Sequence, residues 1–400
     1  PTVSVSTSKT TKSITAVATA SATSGISKYE FSKDNGTTWV ANGTSNTYTF
    51  NGLTHNTSYN IKVRVTSGVG RQTSSATVAT TTKSVATPTF SETGTTTKNV
   101  TITYLTGCGS TYTCSYSKDG AAFVNVTSNP IISFSSDGSL VARITDGINT
   151  VTSSSYLVEV AISIPDLRKK VVTSGDGLYA DAYEAGRYVY KGINPNNYIT
   201  FNDESWRIMA VEADGTLKIR KNESIGNMAW DTSNLNIWSR PATLNTYLNT
   251  DYYNTMKSYA KAQIQTHAFN IGSIIDYNND LSAQIASEKK TNWSGNIGLI
   301  SVSDYLRANI NIEQCDNFNL NNTNYEICRA TNYLFSNNDQ WTISSDTNHI
   351  DNVFRVNVLG YVFSDYNSNS TYTVYPTLYL KSATLLYGKG TKTNPYTIAT

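Results

Sequence analysis

Four hundred residues exceed one ordinary core, because domains commonly run ~100–200 residues, so two to four are expected. A net charge of +2, with only 15% charged residues, leaves no field to gather nucleic acid or an anionic membrane. The 27 Tyr, 11 Phe and 6 Trp exclude a disordered chain, and the Ser, Thr, Asn and Tyr bias suits extracellular binding modules. No apolar run nears the ~20 residues that cross a bilayer, so no direct membrane insertion is expected of these residues. The start at Pro1, without Met, reads as a fragment or processed form whose anchor lies elsewhere.

Four cysteines fall in two close pairs, Cys108 with Cys114 and Cys315 with Cys328. Neither pair has the CxxC spacing or nearby His of a metal site, so two intrachain disulfides and an oxidising compartment are predicted.

Residues 1–83 predict an antiparallel β-sandwich of short alternating strands separated by turn signals. Ile61, Val63 and Val65 fall on one face, and Lys33-Asp34-Asn35-Gly36 marks a turn after Tyr29-Glu30-Phe31. The run from Leu53 to Tyr59 resembles the corner of fibronectin type III domains. There a Leu plugs the core and a Tyr six residues later bonds back to the backbone. Residues 84–163 predict a second, immunoglobulin-like sandwich, because Tyr116-Ser117-Lys118-Asp119-Gly120 echoes Phe31-Ser32-Lys33-Asp34 with Gly36 at a repeat of about 85 residues. Neither carries a chemical motif, and both are expected to act as spacers.

Residues 164–400 change grammar. A linker near Ile164-Pro165-Asp166 leads into a short helix at Leu167–Lys170. The turn Ala213-Asp214-Gly215 then joins two strand-like runs, Trp206–Ala210 and Thr216–Ile219, into a hairpin. Pro241 to Gln265 reads as helix, with Leu244, Tyr247 and Leu248 in one buried stripe and Met256, Tyr259, Ala260 and Ile264 in another. Ser301 and Asp304 form a capping box ahead of a third helix. Strand-like runs return at Val353–Val356 and Thr377–Leu380. The expected class is therefore multidomain: two all-β sandwiches followed by an α+β domain.

Several of these segments together resemble a domain on surface proteins of Firmicutes-type bacteria, where it is attached to fibronectin- and immunoglobulin-like repeats. They are Gly186–Gly192, Asn194–Phe201, Glu204–Ile208, Asn222–Gly226, Ala229–Asp231, Tyr375–Lys381 and Gly388–Tyr396. That domain's activity is unassigned, and the resemblance implies an extracellular, bacterial cell-surface location. The order of strands, helices, irregular segment and strands also resembles the C-type-lectin-like fold in its formylglycine-generating-enzyme version. On that layout Gly186–Tyr190 pairs with Thr377–Leu380, and residues 336–376 form the ligand surface.

No catalytic constellation is apparent. His55 lies in the fibronectin corner, His267 at a helix end and His349 in a polar loop, none beside a Ser or Cys nucleophile motif. The paired late thiols of formylglycine-generating enzymes are missing, since no Cys follows Cys328. Asp346 and Asp351 read as solvated loop carboxylates. No enzyme activity and no cofactor are expected. Calcium is the alternative, because Asp276–Asp280 and Asp365–Asn369 place oxygen ligands at alternating positions, but without the Gly and closing Glu of an EF-hand.

The expected function is an extracellular adhesin or ligand-binding protein for a host or environmental glycan or protein. The alternatives are a surface-displayed hydrolase or modifying enzyme and a structural fibre subunit. Candidate ligand residues are Trp341, Asp346, Asn348, Asp351, Tyr361, Asp365, Tyr366, Asn367, Asn369 and Tyr372, because Tyr offers area at low entropy cost and Asn offers paired donor and acceptor.

Overall fold

The computed structural model describes residues 1–275, 280–315, 325–364 and 367–399. The chain divides into two compact units, Pro1–Val160 and Ala161–Thr400.

The first unit holds two sandwiches of the same strand plan. In the first, Thr2–Lys9, Ile14–Ser21 and Thr47–Phe50 form one sheet. The facing sheet runs Val40–Ala41, Ile26–Ser32, Ser58–Ser67 and Gln72–Ser74, with Val78–Thr81 also paired to Ser58–Ser67. Strand alternation puts every second side chain inward, and Ile61, Val63 and Val65 are all fully buried. Leu53 is buried beneath the corner, and the Thr54 N–H donates to Tyr59 Oη at 3.1 Å, as the fibronectin resemblance implied.

The second sandwich repeats the plan. Thr89–Thr93, Lys98–Thr103 and Ile131–Phe134 form one sheet; Val124–Val126, Thr113–Lys118, Gly138–Thr145 and Thr150–Thr152 form the other, with Tyr156–Val158 paired to Gly138–Thr145. The echoed segments Ile26–Ser32 and Thr113–Lys118 thus hold the same place in their sheets, which confirms the repeat at the level of topology. Both disulfides form, Cys108–Cys114 and Cys315–Cys328, with Cα separations of 5.5 and 5.6 Å.

A polar clasp joins the two sandwiches. The Asp146 carboxylate accepts from Thr11 Oγ1 at 2.5 Å and from the Asn149 N–H at 2.7 Å, and the Asn149 amide donates to the carbonyls of Thr11 and Leu53. Burial pushes the Asp146 carboxyl up, but these hydrogen bonds outweigh it and hold the group down at about 2.

The second unit is built on one large twisted sheet. Its order is Ile162–Ser163, Leu385–Tyr387, Tyr396–Ile398, Tyr198–Phe201, Glu204–Val211, Leu217–Lys221, Thr377–Leu380 and Ile264–Gln265. A smaller sheet comprises Asn227–Ala229, Thr371–Thr373, Gln340–Ser345, Val353–Val356 and Val362–Phe363. Trp206, Trp230, Trp238 and Trp341 sit in the core among the strands and helices. The predicted hairpin is Glu204–Val211 with Leu217–Lys221, and the Ser301/Asp304 capping box starts the helix Val302–Arg307.

Two expectations need correction. Tyr188–Lys191 does not pair with Thr377–Leu380; it pairs with Gly177–Ala180 and Glu204–Val211, while Thr377–Leu380 lies beside Leu217–Lys221. Every residue of Leu217–Lys221 and of Thr377–Leu380 is buried, so these runs belong in the sheet interior, flanked on both sides. The chain ends of the unit meet instead through Ile162–Ser163 with Leu385–Tyr387 and the parallel pair Tyr198–Phe201 with Tyr396–Ile398.

The helical stretch is also not continuous. Thr243–Tyr247 passes through a π-helical turn, Leu248–Tyr252, to Tyr253–Thr255; Met256 and Lys257 are then extended, and a new helix runs Ser258–Gln263. This break re-phases the stripe. Met256, Ala260 and Ile264 stay buried, but Tyr259 turns outward and is 44% exposed. His267 opens a strand, His267–Asn270, rather than ending a helix.

Candidate functional site

Among the described residues, the ligand residues expected from composition are divided between the core and the surface. Trp341 is a core residue: its Nε1–H donates to the Met228 carbonyl at 2.9 Å, and Tyr372 packs edge-on against it. Asp346 is buried rather than solvated. It accepts from the Asn348 N–H and from Ser364 Oγ, and lies 2.8 Å from His349 Nδ1. The Asn236 amide bridges the carbonyls of Asp346, His349 and Asn352, so this loop is pinned from within.

Tyr361 is half-buried against the Cys315–Cys328 disulfide, and Tyr372 and Asp351 are half-buried as well. Asn348, Asn367 and Asn369 are exposed. Asp365 and Tyr366 lie outside the described residues, as do 276–279 of the other calcium candidate, whose Asp280 caps the helix Leu281–Glu288. Among the described residues no three His, Cys, Asp or Glu side chains converge on a metal position.

Two concavities in the second unit carry more chemistry. The first is a cleft of about 200 Å³ whose walls include Glu184, Arg187, Glu212, Lys218, Asp304 and Arg307. Arg187 spans Asp181, Glu212 and Asp304 at 2.6, 2.8 and 3.2 Å, and Lys218 reaches Asp304 at 2.6 Å. Arg307 binds Asp181 and Glu184 at 2.9 and 2.5 Å.

Burial raises the Asp304 carboxyl, yet Lys218, Arg187 and Arg307 overcome that and hold it well below the usual carboxylate range. Glu184 is likewise brought down to about 2, chiefly by Arg307 against the burial penalty. Burial pushes the Tyr379 phenol up to about 12. General acid–base work needs a group whose proton affinity lies near the working pH, and these groups sit far from it.

His267 stacks on Tyr379 with ring centroids 3.9 Å apart. Its Nε2 faces Asp214 at 3.1 Å and its Nδ1 the Ala268 carbonyl at 3.0 Å, and among the described residues no hydroxyl or thiol hydrogen-bonds to it. Burial pushes the Glu288 carboxyl up, but the group is closed off by Ser303 and Ser344.

The second concavity is an aromatic groove of about 240 Å³ lined by Thr200, Phe201, Asp203, Tyr259, Gln263, Thr397 and Ile398. Phe201 is its buried floor, braced edge-on by Trp206 at 5.6 Å. Tyr259 and Gln263 sit one helical turn apart on Ser258–Gln263 and so face the same side. Thr200 and Thr397 are register partners on the parallel strands beneath. Tyr259 Oη donates to Asp203 Oδ1 at 2.5 Å, and Lys257 takes the other carboxylate oxygen.

Periodicity assigned Tyr259 to the core, whereas the structure exposes it. No side-chain capping signal marks the break: the new helix starts at Ser258 with Lys257 as its extended N-cap and no side-chain capping bond.

No protein-family model matches the chain, and no curated protein matches it. Solved structures similar to parts of it include the fibronectin(III)-like modules of Clostridium thermocellum CbhA, at 23% identity over 20% of this chain and 96% of that one, TM-score 0.18. Murine CEACAM1b is 12% identical over 40% of this chain and 100% of its own, TM-score 0.18. The three N-terminal domains of the bacteriophage RB49 Highly Immunogenic Outer Capsid protein are 15% identical over 47% and 68%, TM-score 0.27. The strand order itself defines the fold: two fibronectin- and immunoglobulin-like sandwiches followed by an α+β unit.

Proposed function

We propose that this chain is an extracellular ligand-binding protein of the adhesin type, in which the α+β unit carries the ligand seat and the paired sandwiches are a semi-rigid spacer. The observation that carries the reading is the Tyr259 groove: an exposed aromatic on a helix beside the sheet, over an apolar floor, with Thr200, Gln263, Thr397 and the Asp203 carboxylate around it. The charged cleft does not compete as a catalytic centre, because its carboxylates and cations are held by one another rather than poised for proton transfer.

Two disulfides suit an oxidising compartment, and among the described residues no helix is long and apolar enough to cross a membrane. The resemblance of segments between Gly186 and Tyr396 to Firmicutes-type surface domains supports a cell-surface setting with a glycan or protein ligand.

The test is a glycan and protein array probed with the full chain, followed by Tyr259→Ala. Saturable binding that weakens at least about tenfold in the variant, with an unchanged melting temperature, is the expected result. Turnover of any array compound, or binding indifferent to Tyr259, would contradict it.

A further inference from the structure

We infer that the Tyr259 groove takes a single uncharged sugar ring, stacked on the tyrosine face, as the terminal or exposed unit of a neutral glycan; this rests on the groove being the ligand seat.

The charge balance of the groove is the first argument. Asp203 is its only acidic lining residue, and both of its oxygens are engaged, one by the Tyr259 hydroxyl and one by Lys257. Asn202 and Asp203 form the tight turn of a hairpin, both in the left-handed region (φ 56° and 59°), and Asn202 Oδ1 accepts the Lys257 N–H at 2.8 Å. The carboxylate is therefore a tether that sets the angle of the Tyr259 ring. Hydrogen bonding from Lys257, and then from Tyr259, holds the Asp203 carboxyl below its ordinary range, while the same bond raises the Tyr259 phenol. A cationic ligand would have to displace Lys257 from the carboxylate. An anionic ligand would meet Asp203 without a free cation in the lining.

What remains available is neutral. The side chains of Thr200, Gln263 and Thr397 have no hydrogen-bond partner among the described residues, and all three line the groove. Gln263 presents an amide donor and acceptor together, and each Thr hydroxyl can do either. Ile398 and the Tyr259 face supply the apolar surface, over the buried Phe201. A ligand that complements this has one face of C–H groups and a rim of uncharged hydroxyls, which is the chemistry of a pyranose ring.

Size favours a single ring, and topology excludes a peptide added as a strand. About 240 Å³ is below the ~300 Å³ at which drug-sized ligands begin to be enclosed, so the groove holds one ring and little more. The strand Tyr198–Phe201 is flanked by Glu204–Val211 and Tyr396–Ile398, and Tyr396–Ile398 by Leu385–Tyr387, so neither offers a free edge for an added strand.

The experiment titrates the full chain with three probes: neutral hexose and N-acetylhexosamine oligosaccharides, the corresponding uronate- or sialate-bearing oligosaccharides, and unglycosylated peptides. Binding of a neutral oligosaccharide, lost at least about tenfold in Tyr259→Ala and several-fold in Gln263→Ala at unchanged melting temperature, supports the inference. Tyr259→Phe keeps the stacking face and should retain most of the affinity. Preference for acidic glycans or for peptides, still lost in Tyr259→Ala, overturns the sugar assignment and leaves the groove as the seat. Binding that ignores Tyr259 overturns both, and failure of every neutral oligosaccharide at millimolar concentration overturns the inference.

Discussion

The charged cleft and the aromatic groove lie in the same α+β unit and make opposite use of polar side chains. In the cleft, Arg187, Lys218 and Arg307 are matched against Asp181, Glu184, Glu212 and Asp304 at ion-pair distances inside the fold. In the groove, one exposed ion pair is closed on itself, and three neutral side chains are left facing the space. A concentration of ionisable residues is therefore no guide to chemistry until their partners are known. The cleft uses its charges to join the hairpin, the Val302–Arg307 helix and the segment around Asp181. In the groove, the Thr200, Gln263 and Thr397 side chains have no hydrogen-bond partner among the described residues.

The comparison breaks most easily at Asp304. Asp304→Ala would leave Lys218, Arg187 and Arg307 facing one another without their shared partner, and should cost about 3–5 kcal/mol in a denaturant midpoint. A cost below about 1 kcal/mol would mean the network is loose and its groups available for chemistry.

Acid titration should act in the same place. The folded-state affinities of Asp304 and Glu184 for a proton are depressed, so they contribute stability above the ordinary carboxylate range of about 4, and lose it as pH falls toward about 2. Melts recorded between neutral pH and the acid limit should show that drop; a melting temperature flat across this range would contradict the account.

Tyr372→Ala should cost about 1–2 kcal/mol, because the ring is half-buried against Trp341, and should leave ligand affinity unchanged. A loss of affinity without a loss of stability would return the site to the stretch that composition favours. The smallest effect is expected at Lys257→Ala, an exposed partner of an exposed acid, with no measurable change in melting temperature.

The sandwiches were legible because period-two alternation, turn residues and the Leu53–Tyr59 corner are local signals, and Ile61, Val63 and Val65 obey them. The disulfides were legible from the close spacing of each pair together with a composition suited to an oxidising compartment. The order of the large sheet was not, since Thr377–Leu380 reaches Leu217–Lys221 across some 160 intervening residues, and alternation says nothing about a partner.

Two physical reasons hid the packing of Asp346, Trp341 and Tyr259 from the sequence. Asn, Asp and Tyr serve loops as often as ligands, and Asp346 and Trp341 are satisfied internally. Helical periodicity assumes a continuous helix, and two extended residues at Met256 and Lys257 were enough to turn Tyr259 from core to surface.

The central claim is that the groove binds and the cleft holds the fold. It is tested most directly by the dissociation constant of one array-identified ligand for the full chain, for Tyr259→Ala and for His267→Ala, which alters the cleft wall without touching Asp304. The account predicts a rise of at least about tenfold for Tyr259→Ala at unchanged melting temperature, and a change within about twofold for His267→Ala. A large loss in His267→Ala with Tyr259→Ala binding normally would contradict it.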